Sequence, residues 1–208
     1  MKTKPVLAIL LAGLFIVAAC SKYPPSSQRL LEDLVIYTKY DTNVNFKSFT
    51  TFAIVDSIAY IAPKDSSKVR DANAIAVLNQ ISLNMTNRGY QLVTKDQNPD
   101  LGINVVAVKN VNTQIYYPGW YWGYPGYYPP YYWGGGGYYY PYYPPYITTY
   151  STGTLMIDMV DRKNIQPGDT LYIRWNAYIR SLLTGDHTMD QLKQSIDQAF
   201  KQTKGFPQ

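Results

Sequence analysis

Only one cysteine and one histidine occur in the 208 residues. A disulfide within the chain is therefore excluded, as is a metal set built on two histidines or on histidine with several cysteines. A Ser-His-Asp or Cys-His arrangement would have to use His187, which stands in TGDHT without supporting context and reads as a solvated loop histidine. Phosphate-cradling loops are missing too. The one glycine run, Gly134 to Gly137, lacks the Lys-Ser/Thr and the strand-to-helix setting of such a loop. The formal charge is +5 and falls to +3 without Lys2 and Lys4, with no basic cluster, so nucleic acid is not an expected partner.

What is present begins with MKTKPVLAILLAGLFIVAAC. Lys2 and Lys4 form a short positive region, and the 14 residues from Val6 to Ala19 are uncharged and mostly apolar. That is the length of an export-signal core and too short for an ordinary membrane-spanning helix. Val17, Ala18, Ala19 and Cys20 resemble a bacterial lipobox, in which the cysteine thiol takes a diacylglyceryl group and becomes the first mature residue. The alternatives are a plain signal peptide followed by a free cysteine, or an uncleaved anchor. Acylation at Cys20 would leave 189 residues without a thiol for catalysis or metal binding, and the two diacylglycerol chains, with an amide-linked third if present, would hold them stably, because one chain alone is marginal.

The mature chain opens on a polar tether, SKYPPSSQR, before period-two spacing places a strand at about 50–56 and an earlier one near 34–38. Residues 68–88 read as a helix, with Ala74, Leu78, Ile81 and Met85 on one stripe and Gly89 at its end. Strands follow at 90–93 and in INVVAVKNVNTQ. TGTLMIDMVD is apolar on both faces, as a central strand would be, and TLYIRWNAYIRS puts Leu171, Ile173, Trp175, Ala177 and Ile179 towards a core. Asp158 beside Arg174 suits a cross-strand ion pair, while Asp158 and Asp161, three apart, point to opposite faces. A last helix starts near Thr188, whose spacing to Gln191 is that of a capping box, with Met189, Leu192, Ile196, Ala199 and Phe200 on its apolar side. The elements define an α/β fold: a two-layer α/β domain, with a mixed, mainly antiparallel sheet, two principal helices and a long Tyr/Gly/Pro-rich insertion.

That insertion spans residues 116–146 and consists of 14 tyrosines, seven glycines, seven prolines and three tryptophans. Its prolines remove backbone donors and its glycines add freedom, so neither a helix nor a central strand is credible there. Loops beyond about 15 residues without secondary structure are usually functional or disordered. Tyrosine and tryptophan give large apolar area with a polar handle at low ordering cost, as interaction surfaces require. The rings available for contact are Tyr116, Tyr117, Trp120, Tyr121, Trp122, Tyr124, Tyr127, Tyr128, Tyr131, Tyr132, Trp133, Tyr138, Tyr139, Tyr140, Tyr142, Tyr143 and Tyr146. The other readings are a mobile low-complexity insertion without a ligand and a loop that folds back to cover the sheet.

Six blocks then resemble a known family. They are YDTNVNFKSFTTFAIVD from Tyr40, ISLNMTNRGYQLV from Ile81, NPDLGINVVAV from Asn98, YSTGTLMIDMVD from Tyr150, YIRWNAYIRS from Tyr172 and IDQAFKQTKGFP from Ile196. Together they look like the DUF4136 family of bacterial envelope lipoproteins, over about residues 36–207. The family's pattern is matched by Asp41, Phe46, Phe49, Thr51 to Ala53, Gly89, Tyr90, Pro99, Asp100, Gly153, Thr154, Leu155, Ile157, Asp158 and Asp161. It departs after Trp175, where Asn176 and Ala177 stand in place of Arg-Gly.

The resemblance implies an outer-membrane or periplasm-facing lipoprotein and carries no catalytic residues. The expected organisation is a signal peptide at 1–19, the acylated cysteine and tether at 20–35, and an α/β domain at 36–207 interrupted at 116–146. The expected protein is not an enzyme and has no cofactor or metal. Its lipid anchor would stand at the outer membrane, with periplasmic or surface orientation open, and an envelope protein or a glycan would be its partner. The rival readings are a cell-wall or surface glycan-binding module and an enzyme acting on envelope carbohydrate through two convergent carboxylates.

Overall fold

Alternating and continuous apolar runs become strands, and the two stripes of 3.6 period become helices. In chain order these are β1 (Ile36–Tyr40), β2 (Thr51–Ile54), β3 (Ile58–Ile61), β4 (Ser67–Val69), α1 (Ala72–Thr86), β5 (Gln91–Leu92), β6 (Leu101–Val108), β7 (Ile115–Tyr116), β8 (Thr148–Thr149), β9 (Thr154–Asp161), β10 (Tyr172–Ile179) and α2 (Met189–Lys201). The computed structural model describes residues 34–62, 67–109, 115–116, 128, 130–134, 148–149, 153–163, 165–166, 169–180 and 187–207. The export signal, Cys20 and most of the tether lie outside the described residues.

The main sheet runs β1-β10-β9-β6, with each neighbouring pair antiparallel. On the far side of β6 two strands share its length: β2 pairs with Leu101 to Ile103 and β3 with Val106 to Val108, both parallel to it. β5 extends the sheet beyond β2, and β4 beyond β3. The β3–β4 hairpin was not foreseen from sequence. It takes Lys68 and Val69, which the helical reading had placed in α1. The helix starts later because the Asp71 carboxylate accepts the N–H of Ala74 at 2.8 Å and caps the first turn. Gly89 ends it in the left-handed region at φ 89°, where a side chain would be strained.

Strand register sorts side chains between two faces. Ile103, Met159 and Trp175 stand in one row across β6, β9 and β10, and Asn104, Asp158 and Asn176 in the next. By alternation these rows face opposite ways. The first row faces the helices: Trp175 donates its Nε1–H to Thr203 Oγ1 at 2.8 Å, just after α2, and its ring lies 4.8 Å from that of Phe200. Phe46, Phe200, Phe206 and Trp175 form one aromatic cluster there, with Phe46 and Phe206 edge to face at 5.0 Å. The stripe read for α1 is buried as expected, at Ala74, Leu78, Ile81 and Met85, and Thr188 with Gln191 makes the capping box of α2. His187, ahead of that box, is half-buried.

A bulge at Arg174 corrects the expected ion pair. Ile173 opposes Val160 and Trp175 opposes Met159, so Arg174 is the extra residue between them. It reaches Asp161 through Nε and Asp41 through Nη1, both at 2.9 Å, and not Asp158. The guanidinium thereby joins the ends of β1, β9 and β10.

Phe200 is 1% exposed, so Phe200→Ala should cost about 3–5 kcal/mol of unfolding free energy. Urea unfolding followed by tryptophan fluorescence measures it, and a loss below 1 kcal/mol would contradict the packing described.

Candidate functional site

The second face of the sheet is where the aromatic insertion meets the domain. β6 and β9 are buried almost throughout, and in β10 Asn176 and Tyr178 are each 1% exposed although they point away from the helices. The cover includes Trp133 and Tyr128, at 0% and 1% exposure. Both were candidates for outward contact. The structure assigns these two rings to the domain's own core, because the central strands need burial on this side as well.

Trp133 sits in the 3-10 turn Pro130–Trp133, directly over Gly102. A Cβ on Gly102 would lie 2.7 Å from the indole, so only glycine admits the ring. The indole N–H donates to Asn104 Oδ1 at 2.8 Å, and the Trp133 carbonyl accepts from Arg162 Nε at 2.9 Å. Gly134 then turns the chain at φ 90°.

Tyr128 is held at the β2–β3 turn. Its hydroxyl donates to Asp56 Oδ1 at 2.9 Å and lies 2.6 Å from Ser57 Oγ, while Ser57 Oγ also donates to Asp56 at 2.9 Å. These two hydroxyls hold the Asp56 carboxyl below its ordinary pKa of 3.8 against the opposing effect of burial, with help from Arg70. Burial pushes the Tyr128 phenol up, only partly offset by Ser57. Tyr132 bridges the two anchors, 4.7 Å from Tyr128 and 4.9 Å from Trp133 in edge-to-face contacts. The insertion has no cation of its own, and the scaffold supplies one to each ring: Lys68 over Tyr128 at 3.9 Å, Lys95 over Tyr132 at 4.5 Å, and Arg162 near Trp133 at 5.5 Å.

At the base of the insertion, β7 pairs antiparallel with β8, Ile115 opposite Thr149 and Tyr116 opposite Thr148. The chain is therefore tied at its neck and at two interior rings. The other named rings, with Cys20, lie outside the residues whose side chains are described.

The polar row Asn104–Asp158–Asn176 under this cover had no sequence signal beyond a lone Asp in an apolar strand. All three are at most 1% exposed. Carboxylates elsewhere act as ties. Asp100 accepts from Thr50 N, Thr50 Oγ1 and Thr51 N at 2.7, 3.0 and 3.3 Å, joining the start of β2 to that of β6. Burial pushes its pKa up, but these donors and Lys163 outweigh burial and leave it lowered. Three cavities lined by described residues contain one carboxylate each, Asp71, Asp100 and Asp56. Among the described residues no group of three or more His, Cys, Asp or Glu is placed to hold a metal, and no helix is long and apolar enough to cross a membrane.

One mixed sheet with two helices on one face and Tyr128 and Trp133 on the other thus makes a two-layer α/β fold. Residues 36–207 match the domain of unknown function DUF4136, and the chain belongs to that family. The crystal structure of a DUF4136 family protein from Bacteroides thetaiotaomicron VPI-5482 is similar at 33% identity and a TM-score of 0.68, over 82% of this chain and 95% of that one. A PDZ domain protein from Parabacteroides distasonis ATCC 8503 is more distant, with 14% identity and a TM-score of 0.43 over 82% of this chain and 37% of that one. A PelC dodecamer from Paraburkholderia phytofirmans stands at 9% and 0.40, over 80% and 93%. No curated protein matches. Several family-pattern residues hold turns and packing: Asp41 and Asp161 clamp Arg174, Asp100 ties two strands, and Tyr90 donates to the Phe46 carbonyl at 3.1 Å.

Gly102→Ala should lose about 1–3 kcal/mol, because the buried indole must move. Gly102→Ala combined with Trp133→Ala should show a coupling of opposite sign to the single losses, since the clash is gone. Additive losses in a double-mutant cycle by urea unfolding would contradict the close approach.

The pH profile follows from the shifted groups. Asp56 and Asp100 are lowered, so their stabilisation is present above the ordinary value of 3.8 and is lost as pH falls through their folded values. Tyr90 is pushed up to about 12 by burial, so its contribution is intact below 10 and is lost as pH rises through about 12. Melting temperature measured from pH 2 to 12 should fall at both ends, and Asp100→Asn should flatten the acid side.

Proposed function

We propose that the chain is a non-enzymatic, lipid-anchored protein of the bacterial cell envelope, working as an interaction or structural module. Cys20 would carry the acyl chains and hold the domain at the outer membrane, and family membership supports the envelope setting. The observation that carries the interaction reading is the docking of Tyr128 and Trp133. A segment fixed at its neck and at two interior rings would lose less entropy when its other tyrosines and tryptophans bind. Their partner is an envelope protein, a glycan or the membrane interface.

Cell-wall glycan is the second reading, favoured by a segment rich in rings that stack on sugar faces and free of charge. An enzyme acting on carbohydrate would need two convergent carboxylates, whereas each of the three cavities named above has one.

Cys20→Ser should move the protein out of the membrane-lipid-labelled fraction when cells are fed a radiolabelled fatty acid; undiminished labelling would end the anchoring proposal. Isolated cell-wall sacculi should retain the lipid-free domain, and changing the aromatic residues 138–143 to serine should abolish retention. Equal retention by both forms would remove the glycan role from those rings.

A further inference from the structure

The two helices are joined firmly at one end and part at the other. Near their C-terminal ends Asp197 Oδ1 accepts from Gln80 and Asn84 of α1, at 2.5 and 2.6 Å, and Arg88 lies 5.3 Å from the Phe200 ring. Nearer their N-terminal ends Ala74 of α1, Leu192 of α2 and Ala107 of β6 stand around a shared space. A cavity of about 280 Å³ opens there, open on one side.

Its floor is Ala107 and Leu155, 9% and 1% exposed, on the helix-facing side of the sheet. Its walls are Ala74 and Val77 of α1 and Leu192 in the first turn of α2. An apolar cavity of about 150 Å³ already stays dry and takes up small apolar molecules. Ligand sites are commonly apolar concavities of roughly this size or larger, with few polar groups at the rim to orient the ligand.

Two charges stand at this rim, Asp71 and Lys109. They differ in how far they are committed. The Asp71 carboxylate caps α1 through the Ala74 N–H, where the helix dipole also stabilises it. Lys109 is fixed by its backbone, which donates to the Ile61 carbonyl at 2.9 Å, but its exposed ammonium makes no ion pair among the described residues. The rim therefore offers one uncommitted charge, and it is positive.

We propose that this cavity binds a single alkyl chain with an anionic head, the chain lying against Ala74, Ala107 and Leu155 and the head on the Lys109 ammonium. The head is a carboxylate or a phosphate, so a free fatty acid and a membrane lipid are the two sources. The proposal does not depend on Cys20 or on the aromatic insertion.

Residues 34–208 suffice for the test, because they form one compact unit holding the whole described core, and the crystallised relative is matched over 95% of its length. Dodecanoate and dodecyl phosphate, each below its critical micelle concentration, and dodecanol, below its solubility limit, are titrated into this unit by calorimetry. Either anion should bind saturably at one per chain, and the tighter of the two identifies the head. Ala107→Leu fills the cavity and should weaken binding at least tenfold with the melting temperature unchanged or raised. Lys109→Gln, on the surface, should weaken both anions several-fold and leave dodecanol unchanged, which keeps the test valid if Ala107→Leu does not fold. Absence of saturable binding, or anion affinities unchanged in Lys109→Gln, would overturn the proposal.

Discussion

Strands β6, β9 and β10 carry apolar side chains towards both faces, and a sheet built that way needs two covers. The helices α1 and α2 provide one. The described part of the other is aromatic, with Trp133 seated over Gly102 and Tyr128 hydrogen-bonded at the β2–β3 turn. Without a second cover, Val106, Met156, Val160 and Tyr178, all at most 1% exposed, would face water. The insertion is thus part of the fold at these points, whatever its remaining rings contact.

Polar chemistry decides where the cover sits. A buried amide and carboxylate row across three strands tolerates only a cover that brings hydrogen-bond donors and acceptors. The indole N–H answers Asn104, and hydroxyls of Tyr128 and Ser57 converge on Asp56. Cations from β4, from the turn before β6 and from the end of β9 complete the contact by standing over the rings. Neutral aromatics and basic scaffold residues thus complement each other although they are far apart in the chain.

Elements that rest on local periodicity were legible in the sequence. The stripe of α1, the capping box at Thr188, the two-sided burial of β9 and the glycine that ends α1 all follow from spacing within a few residues. The β3–β4 hairpin escaped because IAYI and SKV are too short to show a period. The partner of Arg174 escaped because a bulge, which no local pattern announces, moves it from Asp158 to Asp161. Likewise, Tyr128 and Trp133 share the composition of the whole insertion, and no local pattern marked them as buried.

Sequence alone determined the class of domain and the boundaries of the aromatic segment, because each is written in contiguous residues and needs no partner. Tertiary structure decided which tyrosine and tryptophan belong to the core, which aspartates hold strands together and where the helices leave a cavity. Those outcomes depend on residues tens of positions apart meeting at a distance of a few ångströms, such as Gly102 with Trp133. Only the packed sheet brings them there.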